Sequence, residues 1–266
     1  MKPLIIGDNG FIGNHTKIAL DQREIEYSTM KSKFDFTKTY RWGDELDSLL
    51  FLGWIDTWDD SIEISKRNVL LTENILESCR GSDIKKIIFP STVSAHDKKL
   101  DVISGKNKRQ FENNYLIGKM ESEELIRCFC DDYGLDCVIL RYSSVYGPGH
   151  RNGFIKNAFD LCRAGSDVKF RNMTSDFVFI DDVVMSNVLA LYHNRSDTFN
   201  IGFGKSYDRK TVVTLINYLY GGKSKLFPIE VSSHDYTVDI SYARDVLNYS
   251  PKIDILEGLE ITKNAL

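Results

Sequence analysis

The first thirteen residues constrain the fold most. The apolar run Leu4-Ile5-Ile6 leads directly into Gly7-Asp8-Asn9-Gly10-Phe11-Ile12-Gly13, and a helical pattern continues from about Phe11 to Asp21. A strand, a turn with glycine at every third position and a helix together suit a dinucleotide. The first glycine permits the tight turn, the second lets a pyrophosphate approach the backbone, and the third lets helix and strand pack closely. The helix N-terminus then offers N–H groups and the positive end of a dipole to an anion. A plain strand–helix turn can carry the same glycines, so the reading depends on the rest of the chain.

The rest of the chain alternates. Glu24 to Ser28, Ser48 to Trp54, Lys86 to Pro90 and Asp136 to Arg141 read as strands, with helices from about Ser61 to Cys79 and Asn114 to Tyr133 between them. Later come helices near Phe154–Ala164 and Asp181–His193, and strands near Val168–Phe170 and Thr198–Gly202. The tail adds helices near Asp208–Tyr220 and Ser241–Leu247. Strands alternating with longer helical patterns predict an α/β fold, a Rossmann-type doubly wound parallel sheet, with a smaller C-terminal α/β substrate lobe. Residues 1–145, completed by about 178–203, are expected to bind the cofactor, and 146–177 with 204–266 the substrate.

Composition removes several classes of function. The formal net charge of −4 speaks against sequence-independent nucleic-acid binding, which rests on an excess of Lys and Arg. No stretch approaches the roughly 18 apolar residues of a membrane span, and the N-terminal apolar run is too short for a secretory signal. A cytoplasmic location is therefore expected. The five cysteines Cys79, Cys128, Cys130, Cys137 and Cys162 form no C-x-x-C pair. His15, His96, His150, His193 and His234 are scattered, so no metal is expected.

The cofactor's ribose is read at the end of the second strand, where a carboxylate favours NAD. Here the sequence is Tyr27-Ser28-Thr29-Met30-Lys31-Ser32-Lys33. Hydroxyls at Ser28 and Thr29 and an ammonium at Lys31 suit a 2′-phosphate, so NADP(H) is preferred, with NAD(H) left open. Asp35, with Phe36 beside it, is placed to meet the adenine, and Trp54 to line the cofactor site.

Tyr115-Leu116-Ile117-Gly118-Lys119 places a phenol and an ammonium one turn apart on one helix face. An adjacent ammonium lowers a phenol's pKa from about 10, which suits it to acid/base work. The pattern also occurs by chance on helix surfaces. Ser91-Thr92, directly after a strand at the carboxyl edge of the sheet, adds a hydroxyl where ligands collect.

With these motifs in order, the chain resembles the extended short-chain dehydrogenase/reductases, in their nucleotide-sugar epimerase/dehydratase/reductase branch. Gly7–Gly13 is similar to that family's G-x-x-G-F-I-G, and Asn68-Val69 with Thr72 to its Asn-Val-x-x-Thr. Leu140–Gly149 resembles L-R-x-x-N-V-Y-G-P-G, Ser175–Asp182 resembles R-D-F-V-Y-V-D-D, and Tyr249–Lys252 resembles W-x-P-K. The resemblance implies that Thr92, Tyr115 and Lys119 are catalytic: Tyr115 exchanges a proton with a sugar hydroxyl or ketone, Lys119 bonds the nicotinamide ribose, and Thr92 holds the reacting oxygen. It implies cofactor contacts from Gly7, Asn9, Gly10, Phe11, Ile12, Gly13, Leu52, Gly53, Trp54, Asn68, Tyr142 and Val145. Substrate contacts are expected from Ser94, His96, Tyr146, Arg151 and Arg171, and a homodimer is expected.

The departures are as informative. Val93-Ser94 follow Thr92 where the family's dehydratases carry Asp-Glu, and Phe51-Leu52-Gly53-Trp54 stands for His-Leu-Ala-Ala. Ser144 and Ser175 replace an Asn and an Arg that help grip the diphosphate. The expectation is an NADPH-dependent reductase of a 4-keto-6-deoxy nucleotide sugar in deoxysugar supply. An NAD-dependent 4-epimerase is the alternative, and a non-catalytic NADP-sensing or scaffold protein the non-enzymatic one.

Overall fold

In the computed structural model, residues 1–30, 38–43, 45–55, 61–95, 102–103, 113–230 and 236–266 are described. Along the chain the first elements are β1 (Pro3–Ile6), α1 (Phe11–Asp21), β2 (Ser28–Thr29), β3 (Ser48–Phe51), α2 (Ile62–Cys79), β4 (Lys86–Thr92) and β5 (Val102–Ile103). Then come α3 (Asn114–Tyr133), β6 (Asp136–Tyr142), β7 (Ser144–Tyr146), α4 (Phe154–Arg163), β8 (Val168–Arg171), β9 (Thr174–Phe179), α5 (Ile180–Tyr192) and β10 (Asp197–Ile201). The tail holds β11 (Ser206–Asp208), α6 (Arg209–Leu219), β12 (Leu226–Ile229), β13 (Thr237–Val238), α7 (Ser241–Leu247) and α8 (Ile255–Asn264).

The described residues divide into two compact units. The first takes them from Met1–Ala95, Lys108–Arg141 and Val184–Phe199, and the second includes Tyr142–Val183 and Asn200–Leu266. The first unit is built on a six-stranded sheet in the order β10-β6-β4-β3-β1-β2, with β1 parallel to both β2 and β3 and β3 parallel to β4. Every residue of β1, β3 and β4 is buried. That explains why these strands read as continuous apolar runs rather than alternating ones, since helices cover both faces of a parallel sheet. The sequence predicts a second strand over Glu24–Ser28, whereas β2 is only Ser28–Thr29. Glu24 turns through φ 56° and Ile25 donates back to the Leu20 carbonyl, which uses those residues to end α1.

Side chains set the helix starts. Ser61 Oγ accepts from Ile64 N at 3.3 Å to cap α2, and Asn113 Oδ1 accepts from Leu116 N at 2.9 Å to cap α3. The pairing of α2 with α3 is close because Gly118 lacks a side chain: a Cβ there would lie 2.7 Å from Ser65 Oγ. One turn further on, the Thr72 and Ser122 hydroxyls bond at 3.0 Å. Glu123, fully buried, then receives Arg141 of β6 through two bonds, Nε to Oε1 at 3.0 Å and Nη2 to Oε2 at 2.5 Å. This fork ties α3 to the sheet in one register.

In the second unit β9 is central, parallel to β7 and antiparallel to β11, while β8 pairs with β12 and β5 with β13 in parallel. The buried Asp176 accepts from Phe203 N at 2.8 Å, Gly204 N at 2.9 Å and Ser143 Oγ at 3.1 Å. Burial raises its pKa, and these donors act against that rise. Asp182 likewise accepts from Lys252 N and Ile253 N, and Tyr249 donates to the Gly202 carbonyl at 2.9 Å. The acidic and aromatic residues of the C-terminal motifs are therefore braces for turns. Strands β5, β7, β9, β11, β12 and β13 and helix α8 are additions to the sequence reading.

Tyr146, expected at the substrate, is a core residue. It is 1% exposed, edge-on to Phe177 and Phe179, and its hydroxyl donates to the Asp254 carbonyl at 3.3 Å. A Cβ on Gly258 of α8 would come within 2.1 Å of that hydroxyl, so the helix is seated directly on the ring.

The fork on α3 yields a stability prediction. Glu123→Ala takes the carboxylate away from the buried Arg141, and should lower the unfolding free energy by about 3–5 kcal/mol. Equilibrium denaturation in urea reads this directly, and a loss below about 1 kcal/mol would show that the pair contributes little.

Candidate active site

The glycine turn is shaped by two contacts that no side chain would survive. A Cβ on Gly7, whose φ is 88°, would lie 2.4 Å from Gly53 N, and one on Gly13 would lie 2.1 Å from the Gly7 carbonyl oxygen. Backbone of β1, α1 and the turn after β3 thus meet without side chains between them. Gly10 differs. Its φ of −71° suits any residue, and its nearest neighbour, the Gly7 oxygen, would stand 3.2 Å from an added Cβ. Packing demands glycine less at this exposed position. Its small size leaves the mouth of α1 open, and no side chain caps the first turn of that helix. An open, uncapped helix start with no Cβ in front of it fits a pyrophosphate. Asp8, within the turn, is paired with Lys17 at 3.0 Å. Asn9 is exposed, and Phe11 and Ile12 are half-buried at the helix start.

The turn after β3 is held from behind. Asn68, almost fully buried on α2, accepts from Ile55 N at 2.8 Å and donates to the Ile55 carbonyl at 3.0 Å. Expected as a cofactor contact, Asn68 fixes the backbone at Ile55, next to the segment that carries Leu52, Gly53 and Trp54. Ser28 and Thr29 end β2 beside β1 and are half-buried. Lys31, Asp35, Phe36 and His96 lie outside the described residues.

Thr92 is the last residue of β4 and Tyr115 the second of α3, with Lys119 one turn on. Thr92 is 8% exposed, and its oxygen accepts from Ser94 N at 3.1 Å. With the oxygen engaged as acceptor, its proton is available to a ligand oxygen. Just before it, the buried Ser91 hydroxyl has no hydrogen-bond partner among the described residues. Tyr115 is 36% exposed, whereas Lys119 is 4% exposed and donates to the Pro90 carbonyl at 2.9 Å. Thr92, Tyr115 and Lys119 thus lie at the carboxyl end of β4 and on the helix that comes after it.

Trp54 joins them in a way the sequence did not show. Lys119 Nζ lies 3.8 Å from the centre of the indole and 4.8 Å from that of Phe89. The same indole meets the Tyr115 ring edge-on at 6.4 Å. Burying a charge is costly, and the two aromatic faces and the Pro90 carbonyl offset part of that cost. The indole N–H is buried with no partner among the described residues.

In the second unit, Val145 is half-buried in β7, paired with Val178 of β9, and Tyr142 is buried at the end of β6. Arg151 and Arg171 are exposed. Arg209, which the sequence reading passed over, is half-buried at the start of α6, with Nε donating to Ser175 Oγ at 3.2 Å. Its signal in the sequence was the pair of serines at 144 and 175, which left a gap for some other cation to fill.

Comparison with known proteins gives a consistent result. Residues 3–202 match the NAD dependent epimerase/dehydratase family. A protein named as an uncharacterized UDP-glucose epimerase of Bacillus subtilis (strain 168) is 26% identical, covering 97% of this chain and 96% of its own. The dTDP-4-dehydro-6-deoxyglucose reductase of Escherichia coli is 24% identical, covering 76% of this chain and 66% of its own. Among solved structures, RMD from Pseudomonas aeruginosa complexed with NADPH superimposes with a TM-score of 0.89, 16% identity, and coverage of 100% of this chain and 98% of that one.

The glycines separate folding from binding. Gly13→Ala should destabilise the protein by several kcal/mol through overpacking against backbone. Gly10→Ala should cost about 1 kcal/mol or less, yet weaken NADPH or NADH binding at least about tenfold. Thermal unfolding and fluorescence titration distinguish the two, and unchanged cofactor affinity in Gly10→Ala would remove the turn from the binding site.

Proposed function

The chain belongs to the NAD dependent epimerase/dehydratase family, and from that membership we propose that it is an NADPH-dependent reductase of the C4 ketone of a 4-keto-6-deoxy nucleotide sugar. We assign the cofactor to the first unit and the nucleotide sugar to the second. The observation that carries the choice of cofactor is the end of β2, where Ser28 and Thr29 offer hydroxyls and no carboxylate. The catalytic roles rest on Thr92, Tyr115 and Lys119, gathered at the end of β4 and the start of α3.

A bound nicotinamide would supply the reducing equivalent, and the protein supplies alignment and protons. Tyr115, the most exposed of the three, donates its phenolic proton to the C4 oxygen as the ketone becomes an alcohol. Lys119, held against Trp54 and Pro90, places a positive charge beside that phenol. Thr92, its oxygen already engaged by Ser94 N, keeps its proton and donates a hydrogen bond to the same sugar oxygen, holding it in line. Dehydration is not part of the proposal, because the position after Thr92 is Val93, fully buried, and not a carboxylate.

A second reading is an NAD-dependent 4-epimerase, favoured by the match along nearly the whole chain to the Bacillus subtilis protein with that kind of name. The same three residues serve it. A sensor or scaffold without catalysis is the third reading, and retention of all three residues weighs against it. The proposal carries with it a role in deoxysugar supply, a cytoplasmic location and a homodimer. No described helix is long and apolar enough to cross a membrane.

Incubation with NADPH and a dTDP-4-keto-6-deoxy sugar should consume NADPH in step with product. Absence of consumption across a panel of such sugars would sink the reductase reading. Protein that purifies with bound NAD and interconverts UDP-glucose and UDP-galactose without added nicotinamide would establish the epimerase instead. In either case Tyr115→Phe should lower kcat by about 10²–10⁴-fold while leaving cofactor affinity unchanged.

A further inference from the structure

Arg209 is the first residue of α6, and its backbone N–H donates to the Met173 carbonyl at 3.1 Å, which anchors it at the start of β9. Two contacts then fix the guanidinium plane. Nε donates to Ser175 Oγ at 3.2 Å, and Cζ lies 4.7 Å from the centre of the Phe154 ring. Both terminal amino groups are left without a hydrogen-bond partner, and no carboxylate stands within ion-pair distance among the described residues.

The surroundings make this costly in the absence of an anion. Loss of water weighs first against the charge on Arg209; Tyr236 acts the other way, and the positive charge of Arg171 adds to the cost. Asp208, the adjoining residue, turns its carboxylate back to accept from Lys210 N at 2.9 Å and cap the helix. Asp176, the neighbour of Ser175, is occupied by Phe203, Gly204 and Ser143. A half-buried cation with a second cation near it, and with no described carboxylate in ion-pair distance, suits an anion carrying more than one charge.

We propose that Arg209, with Arg171, binds the diphosphate of the nucleotide sugar, the guanidinium being supplied from the first turn of α6 and not from β9. The proposal rests on the nucleotide-sugar reading above. It accounts for Ser175, which is fully buried and too short to reach a ligand but receives Arg209 Nε. The serine serves as the rest on which an arginine from another element lies.

Calorimetric titration of the intact protein with UDP, dTDP, UMP and inorganic pyrophosphate tests this, the glycine turn being unchanged in every variant. The wild type should bind UDP at least about tenfold more tightly than UMP. Arg209→Ala should abolish that preference while leaving UMP affinity and the unfolding temperature nearly unchanged, and Arg209→Lys should recover only part of it. Ser175→Arg in the Arg209→Ala background should restore the preference, an outcome that loss of packing on Phe154 cannot produce. An unchanged preference in Arg209→Ala would overturn the proposal. Binding of pyrophosphate but of neither UDP nor dTDP, still dependent on Arg209, would leave the anion site standing and defeat the nucleotide-sugar reading. Binding of none of the three would defeat both.

Discussion

Everything in the first unit depends on the contact of three backbones at Gly7, Gly13 and Gly53. The Gly7 position lies against Gly53 N, and Gly13 lies against the Gly7 carbonyl, at separations that leave no room for a methyl group. Because the strand, the helix and the next turn touch through main chain alone, α1 begins close to the sheet edge with its first turn uncapped. The same contact brings the segment after β3, and with it Trp54, to the level of β4. Asn68 completes the arrangement by bonding both polar groups of Ile55.

The second constraint is on α3. The helix that carries Tyr115 and Lys119 is held against rotation, so the direction of both side chains is fixed. Rotation is prevented by three features on two successive turns: Gly118 against Ser65, then Ser122 on Thr72 and Glu123 under Arg141.

Much of the first unit was legible in the sequence because its signals are local. The apolar runs of β1, β3 and β4, the glycine spacing and the Ser61 and Asn113 caps lie within a few residues of what they determine. The tail was less legible. Helix α8 carries a readable start, Asp254 with Glu257 three residues on, and Asp254 does cap it by accepting from Leu256 N and Glu257 N. The short run after it was nevertheless missed, since Gly258 sits where a periodic apolar residue would be expected. Tyr146 was misplaced for a related reason. Its position after a motif strand says that it is near something important, but only the approach of Gly258 shows that the something is a helix. Arg209 could not be assigned from sequence, because its partner Ser175 is 34 residues away.

The indole over Lys119 has a consequence for observing this protein. Trp54 is one of three tryptophans in the chain, and its ring lies within 3.8 Å of an ammonium and beside a phenol. Indole emission is sensitive to the charge and polarity around it, so this residue is a reporter built in beside Lys119 and Tyr115. Any molecule that draws Lys119 toward itself alters the field on the ring, and it does so before any chemistry takes place. Arrival of a ligand at that ammonium is thus written as a change of colour and intensity in the protein's own light.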